Sequence, residues 1–295
     1  MKIARKSRGN DGTPARPASA LARVGVRPAK SRGQNFLSSG GIADRIVAAA
    51  KLRESDAIIE IGPGLGILTE KIATRPLHSL TLVELDSRLA AMLRGRFAES
   101  ANVRVANADF LKIDFSTIVG DMPVKVIGNL PFNVAAAILR RLCDNSRKIS
   151  RMVLMFQREV AGRIRAMPGD DAYGALSVYT ALYWEIDLHF TVAAGSFHPR
   201  PKVDAEVLAF APRAISFAGV DERDVLETVR ASFSAPRKTI RNALSHSLGI
   251  DGAKTLRALA RAAIAPGARA ETLDVPDFLR LAHALRTELA GRNDA

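Results

Sequence analysis

The sequence predicts an α/β fold: a mostly parallel sheet with helices on both faces, followed by a small all-helical domain. Three observations lead there. Short strand-like runs at residues 58–61, 80–83, 102–105 and 123–128 are interleaved with stretches of helical periodicity. Just past them come, in order, Gly62, Glu84, Asp109 and Asn129, at the edge where open α/β sheets bind ligands. Beyond Pro212 the strand signal ends and the pattern is helical throughout.

Residues 1–32 hold nine Lys or Arg against Asp11 alone, with Pro14, Pro17, Pro28 and scattered Ser, Gly and Ala. That composition predicts a tail that is disordered when free. Its charge suits RNA phosphates, through counterion release. A solvated cationic extension or an Arg-rich organellar transit peptide has the same composition, although three prolines weigh against the amphipathic helix of the latter.

Next, Gln34-Asn35 reads as a loop, able to close beside a ligand, that feeds a helix over 42–50 with Ser38 and Ser39 as candidate caps. The strand 58–61 runs into Gly62-Pro63-Gly64-Leu65-Gly66 and a helix starting at Ile67. The strand 80–83 ends at Glu84-Leu85-Asp86, and 102–105 leads to Asn107-Ala108-Asp109-Phe110. After 123–128 come Asn129-Leu130-Pro131-Phe132, a helix over 135–142 and a buried strand over 151–156. A rigid loop, Phe197-His198-Pro199-Arg200-Pro201, precedes a less regular strand over 205–210. Helices over 221–233, 236–248, 253–263 and 275–289 complete the chain, with Pro276 suited to the first turn of the last. On the second of them Arg237 or Lys238 falls beside Arg241 on one face, as phosphate contacts or as a solvated charged stripe. The expected domains are the tail 1–32, a sheet domain 33–212 and a helical domain 213–295.

The chemistry concentrates at Asn129-Leu130-Pro131-Phe132. A buried strand ending in an amide, a proline and an aromatic ring brings together groups that suit a planar amino group. The exocyclic nitrogen of adenine is a poor nucleophile because its lone pair is delocalised into the ring. The Asn129 side-chain oxygen and the Leu130 carbonyl can accept hydrogen bonds from its two N–H groups and draw it toward tetrahedral geometry, with Pro131 fixing the carbonyl direction. Phe132 stacks on the base, which contributes about 1–3 kcal/mol, enough to hold an extruded nucleotide but not to methylate it. The methyl donor must therefore be intrinsically reactive, as a sulfonium such as S-adenosylmethionine is. The G-x-G-x-G spacing of Gly62, Gly64 and Gly66, with Pro63 between the first two, favours such a nucleoside over a pyrophosphate. Glu84 is placed to hold ribose hydroxyls, and Asp109 to accept a proton from the cofactor's adenine amino group; either acid taken singly also reads as a solvated turn residue.

These motifs, with Gly33-Gln34-Asn35-Phe36-Leu37, Phe156-Gln157-Arg158-Glu159-Val160, the stretch from Ser196 to Asp204 and Arg237-Lys238-Thr239-Ile240-Arg241-Asn242, resemble the ribosomal RNA adenine N6-dimethyltransferase family over most of the chain. The resemblance implies a Rossmann-like class I methyltransferase sheet with a C-terminal helical domain. It implies S-adenosylmethionine contacts at Gln34, Asn35, Leu37, Gly62, Gly64, Glu84, Asp109 and Asn129. It also implies the target: two adjacent adenines in the 3′-terminal hairpin of small-subunit ribosomal RNA, each receiving two methyl groups. The family motif usually has tyrosine where this chain has Phe132, a change that keeps stacking and loses a hydroxyl. Phenylalanine also occurs in the related large-subunit enzymes of macrolide resistance, the closest competitor; the 237–242 segment and long C-terminal region look more like the small-subunit branch. A third reading is an assembly factor that binds ribosomal RNA with catalysis secondary.

The composition narrows the setting. The chain of 295 residues is long enough for two cores and carries a net charge of +13. Its single cysteine, Cys143, excludes an intrachain disulfide, and no Cys/His cluster suggests a metal. No apolar run has transmembrane length and the N-terminus lacks the core of a secretory signal. The expectation is a cytoplasmic monomer that works on RNA in the small ribosomal subunit, without metal or membrane.

Overall fold

The structure is a computed structural model describing residues 17–28, 33–120, 122–214, 217, 219–235 and 237–290. Among these, one sheet has the strand order β4-β3-β2-β5-β6-β9-β7, formed by β2 (Ala57–Ile61), β3 (Ser79–Glu84), β4 (Val103–Asn107), β5 (Val124–Asn129), β6 (Ile149–Gln157), β7 (Trp184–Val192) and β9 (Ala205–Pro212). The strands from β4 to β6 pair in parallel, while β9 runs antiparallel to both β6 and β7. A two-stranded ribbon, β1 (Phe36–Leu37) against β8 (Phe197–His198), stands beside it, pairing Phe36 with His198 and Leu37 with Phe197.

Side chains alternate across the sheet. Ile59, Ile61, Val124, Val126, Leu154 and Phe156 face one way, onto α5 (Ala135–Asp144), α6 (Arg158–Arg165) and α7 (Ala175–Tyr183). Ile58, Leu80, Leu82, Ile127, Val153 and Met155 face the other, onto α2 (Gly40–Ala49) and α3 (Ile67–Ala73). Ser39 caps α2 by accepting from the Ile42 amide, and Asp86 caps α4 (Ser87–Arg96) by accepting from the amides of Arg88 and Leu89. The helices expected beyond residue 212 are α8 (Glu222–Ser232), α9 (Ile240–Leu248), α10 (Gly252–Arg261) and α11 (Val275–Ala290). Their buried side chains, among them Val229, Leu244, Leu259 and Phe278, join the cluster beneath α5–α7, so packing is continuous across residue 212. Among the described residues, no helix is long and apolar enough to cross a membrane.

Two expectations need correction. The tail expected over 1–32 contains a helix, α1 (Pro17–Val24); residues 1–16 and 29–32 lie outside the described residues. Pro17 occupies its first position, where proline is tolerated, and Leu21 and Val26 are buried against Phe36 and Leu89. Arg88 donates to the Gly25 carbonyl at 2.5 Å and fixes the turn that follows. The second correction concerns α9, which starts at Ile240 and not at 236; Pro236 lies outside the described residues. Thr239 is extended at φ −63°, ψ 155°, and the Ile240 amide donates to Ala268 at 2.8 Å. Arg237 and Lys238 therefore sit in the preceding turn, with Arg241 on the first turn of the helix; all three are exposed.

Candidate active site

The cleft opens where β2 and β5 end. Ile61 pairs with Gly128, so the turn after β2 and the tetrapeptide after β5 lie side by side. A Cβ on Gly128 would approach the Ile61 carbonyl to 3.0 Å, which makes glycine a packing requirement at this junction. Gly62, Gly64 and Gly66 all take left-handed backbone, at φ +65°, +59° and +84°. At Gly64 a Cβ would also meet the Phe36 ring at 3.0 Å, because the N-terminal loop lies directly on this turn.

Gln34, Asn35, Leu37, Gly62, Gly64, Glu84, Asn129, Leu130 and Pro131 line the cleft together. The Asn129 side-chain nitrogen donates to the Asn35 carbonyl at 2.9 Å, which orients the amide and leaves its oxygen as the acceptor. The loop is latched a second time, by the Phe132 amide donating to the Gly33 carbonyl at 3.4 Å. Gly33 is at φ +59°, and a Cβ there would lie 2.9 Å from the Asn133 side-chain oxygen. The Pro131 carbonyl is taken by the Val134 amide at 3.1 Å, which fixes the exit toward α5.

Phe132 lies outside the lining of that cleft and meets Phe197 of β8 edge-on, with ring centroids 6.4 Å apart. The loop after β7 and the N-terminal loop are joined again where Ser38 donates to the Ser196 carbonyl through its amide at 2.9 Å and its hydroxyl at 2.8 Å. The 197–201 segment thus stands beside the tetrapeptide ring.

The two expected cofactor acids behave differently. Glu84, 5 % exposed, accepts from the Gly64 amide at 3.0 Å with one oxygen and from the Asp86 amide at 2.9 Å with the other. It ties β3 to the glycine turn, and each carboxylate oxygen retains a further acceptor position. Burial raises its pKa, while the amides of Asp86 and Gly64 act in the opposite direction. Asp109 does not line this cleft; it is half-buried and its carboxylate accepts from the Leu111 amide at 2.9 Å, closing a turn after β4. Arg237, Lys238 and Arg241 belong to the helical region and do not line the cleft either.

Besides the apolar wall that includes Phe36, Leu65 and Leu89, sequence reasoning passed over one charged lining residue, Glu60. It is 1 % exposed on β2, held through one oxygen by the Thr69 hydroxyl at 2.7 Å. The signal was available: a lone glutamate among Ile58, Ile59 and Ile61, in a strand too apolar to place it in water.

The cleft combines glycine backbone that permits close approach, buried acids and an oriented amide at the mouth, a set able to take a polar, positively charged ligand. Comparison with known proteins points the same way. A small-subunit ribosomal RNA methyltransferase A of Geobacter metallireducens is 40% identical over 266 residues, covering 88% of this chain and 96% of its own length. The crystal structure of a dimethyladenosine transferase from Plasmodium falciparum superposes with a TM-score of 0.73 at 27% identity, over 86% of this chain and 98% of that one. That of the 23S ribosomal RNA methyltransferase ErmE gives 0.64 at 28% identity, over 85% and 100%. The family model described as Ribosomal RNA adenine dimethylase matches residues 27–287, from the turn after α1 into α11 and across every element of the cleft. With its glycine turn, buried Glu84 and latched asparagine in that order on one sheet edge, the chain belongs to the ribosomal RNA adenine dimethylase family.

Proposed function

We propose that the protein transfers methyl groups from S-adenosylmethionine to N6 of two adjacent adenines in the 3′-terminal hairpin of small-subunit ribosomal RNA, two to each base, in the cytoplasm during subunit maturation. The observation that carries this reading is the Asn129 amide, locked by Asn35 at the point where the glycine turn and the tetrapeptide meet.

Residues Gln34, Asn35, Leu37, Gly62, Gly64 and Glu84 are assigned to the cofactor, with Asn129 shared between cofactor and base. The fit rests on the left-handed glycines, which carry no Cβ at three positions of the turn, and on a buried carboxyl oxygen of Glu60 without a partner among the described residues. When bound, S-adenosylmethionine supplies a methyl group already activated as a sulfonium. The protein's part is placement: the Asn129 oxygen and the Leu130 carbonyl accept hydrogen bonds from the amine N–H groups, the proton displaced by each incoming methyl leaves to solvent, and Phe132 stacks on the extruded base beside Phe197. Asp109, which uses one carboxylate oxygen in its turn with Leu111, is assigned to the cofactor adenine through the other. Arg237, Lys238 and Arg241 are assigned to RNA phosphates.

Labelled methyl transfer from S-adenosylmethionine to small subunits lacking these methyl groups tests the reading, with mass spectrometry of digested RNA locating the product. Dimethyladenine at adjacent positions supports it; no transfer by folded protein refutes it. A second reading, adenine dimethylation of large-subunit RNA, is favoured by Phe132 and by the likeness to ErmE, and the same digest separates the two. An assembly role independent of catalysis is separated by whether an inactive Asn129→Ala protein still restores subunit maturation in cells.

A further inference from the structure

Glu60 is a charge-bearing residue in a place that gives it little to pair with. It sits on β2 opposite Leu82 of β3 and Ile127 of β5, and is 1 % exposed. One carboxyl oxygen accepts from Thr69 of α3 at 2.7 Å; the other has no hydrogen-bond partner among the described residues. An orphaned buried oxygen calls for an explanation, and here it lines the same cleft as Gly62, Gly64 and Asn129.

The surrounding charges are few. On β3 the neighbour is Glu84, whose oxygens are committed to the Gly64 and Asp86 amides. On α3, Glu70 and Lys71 are taken on the outer surface by Arg96 and Asp44. On β5, Lys125 pairs in register with Ile58 and is bound to Asp56 at 2.6 Å, at the start of β2. No cation among these reaches Glu60. Burial pushes its carboxyl up to about 8, against the Thr69 hydrogen bond and with a smaller push from Glu84, so it carries a proton at neutral pH.

We propose that Glu60 is a counter-charge that reads the charge of the cofactor: it holds a proton in the free protein and releases it when the cationic methyl donor enters the cleft. This rests on the cleft being the S-adenosylmethionine site. Donor and demethylated product share their amino, carboxyl and nucleoside groups and differ by the methyl and the sulfonium charge. Ionised Glu60 is stabilised by a sulfonium and left unpaired beside a neutral thioether, where burial returns the proton to it. Donor binding therefore expels a proton and product binding retains it, which favours exchange of spent cofactor for fresh.

The experiment is calorimetric titration of the full-length protein with S-adenosylmethionine and, separately, S-adenosylhomocysteine, in buffers of different ionisation enthalpy at pH 7. Donor binding is expected to release about one proton, and its affinity to rise about tenfold per pH unit between pH 6 and 7.5 before levelling off. Product binding, which shares the other titrating groups, is expected to release far less. Glu60→Gln is expected to bind the donor with heats independent of buffer. Thr69→Val removes the hydrogen bond that favours the ionised acid and should move the levelling-off to higher pH, so the proposal stands on more than one variant. Donor binding with buffer-independent heat in the unmodified protein, or unchanged proton release by Glu60→Gln, overturns the proposal alone. No donor binding in any buffer by folded protein overturns the cofactor reading and the proposal together.

Discussion

At the scale of single residues, the proposed function rests on an amide whose two ends have separate tasks. The Asn129 nitrogen is anchored to the Asn35 carbonyl and its oxygen is left to accept. Asn129→Ala is expected to lower turnover by about 10²–10³ through loss of that oriented acceptor, while cofactor affinity falls less than tenfold; single-turnover kinetics beside direct binding separates the two. Glu60 makes a prediction for the free protein. Its pKa rises from 4.5 to about 8 on folding, so the folded state holds the proton that the unfolded state has lost. That contribution is fully present below about pH 4.5 and lost as pH rises through about 8, so Glu60→Gln is expected to gain stability over the parent as pH rises from 5 to 8, in denaturant titrations at each pH. The asparagine was legible because a polar residue, a proline and an aromatic after an apolar strand make a recognisable chemical group. The paired use of Glu84 was not: nothing in spacing says that both its oxygens hold backbone amides, as they do.

At the scale of elements, α1 leans on Phe36, Leu65 and Leu89, three side chains that also wall the proposed cofactor cleft. Leu21→Asp places a charge in that contact, where Leu21 is 2 % exposed. It is expected to release α1, lower stability by about 2–4 kcal/mol and weaken cofactor binding, read by hydrogen exchange over residues 17–28 and by calorimetry. The turn before α9 makes the opposite kind of prediction. Arg237 and Lys238 are exposed, so their replacement by alanine should leave the melting temperature unchanged. Each should weaken RNA binding across sequences and reduce the salt slope by about one. Sequence periodicity located the parallel strands well, since each is a short apolar run closed by a turn. It overlooked β7, although Trp184, Ile186, Leu188, Phe190 and Val192 alternate with Glu185, Asp187, His189 and Thr191. That period of two marks an edge strand with one face in water. The tail was misjudged for a related reason: prolines and cations dominated its composition, while the few apolar residues that seat α1 acquire meaning only against α4.

At the scale of the whole molecule, the C-terminal helices and one face of the sheet share a single apolar cluster. Thermal unfolding is accordingly expected to give one transition, with calorimetric and van't Hoff enthalpies in agreement; two separated transitions would show that the helical region melts by itself. Sequence alone could place helices after the sheet, because the change of period near residue 212 is visible. It could not show that Trp184, Phe210, Val229 and Phe278 belong to one cluster, since that depends on which face of the sheet each element covers.

The ribbon of β1 and β8 has a consequence of its own. Leu37 of one strand lines the cleft, and Phe197 of the other meets the ring of Phe132. Two facing residue pairs join them. A connection that short offers little slack, so on the proposed reading a shift of Leu37 when a ligand fills the cleft is expected to reach Phe197 and the ring beside it, and the order in which the two ligands bind tests that coupling.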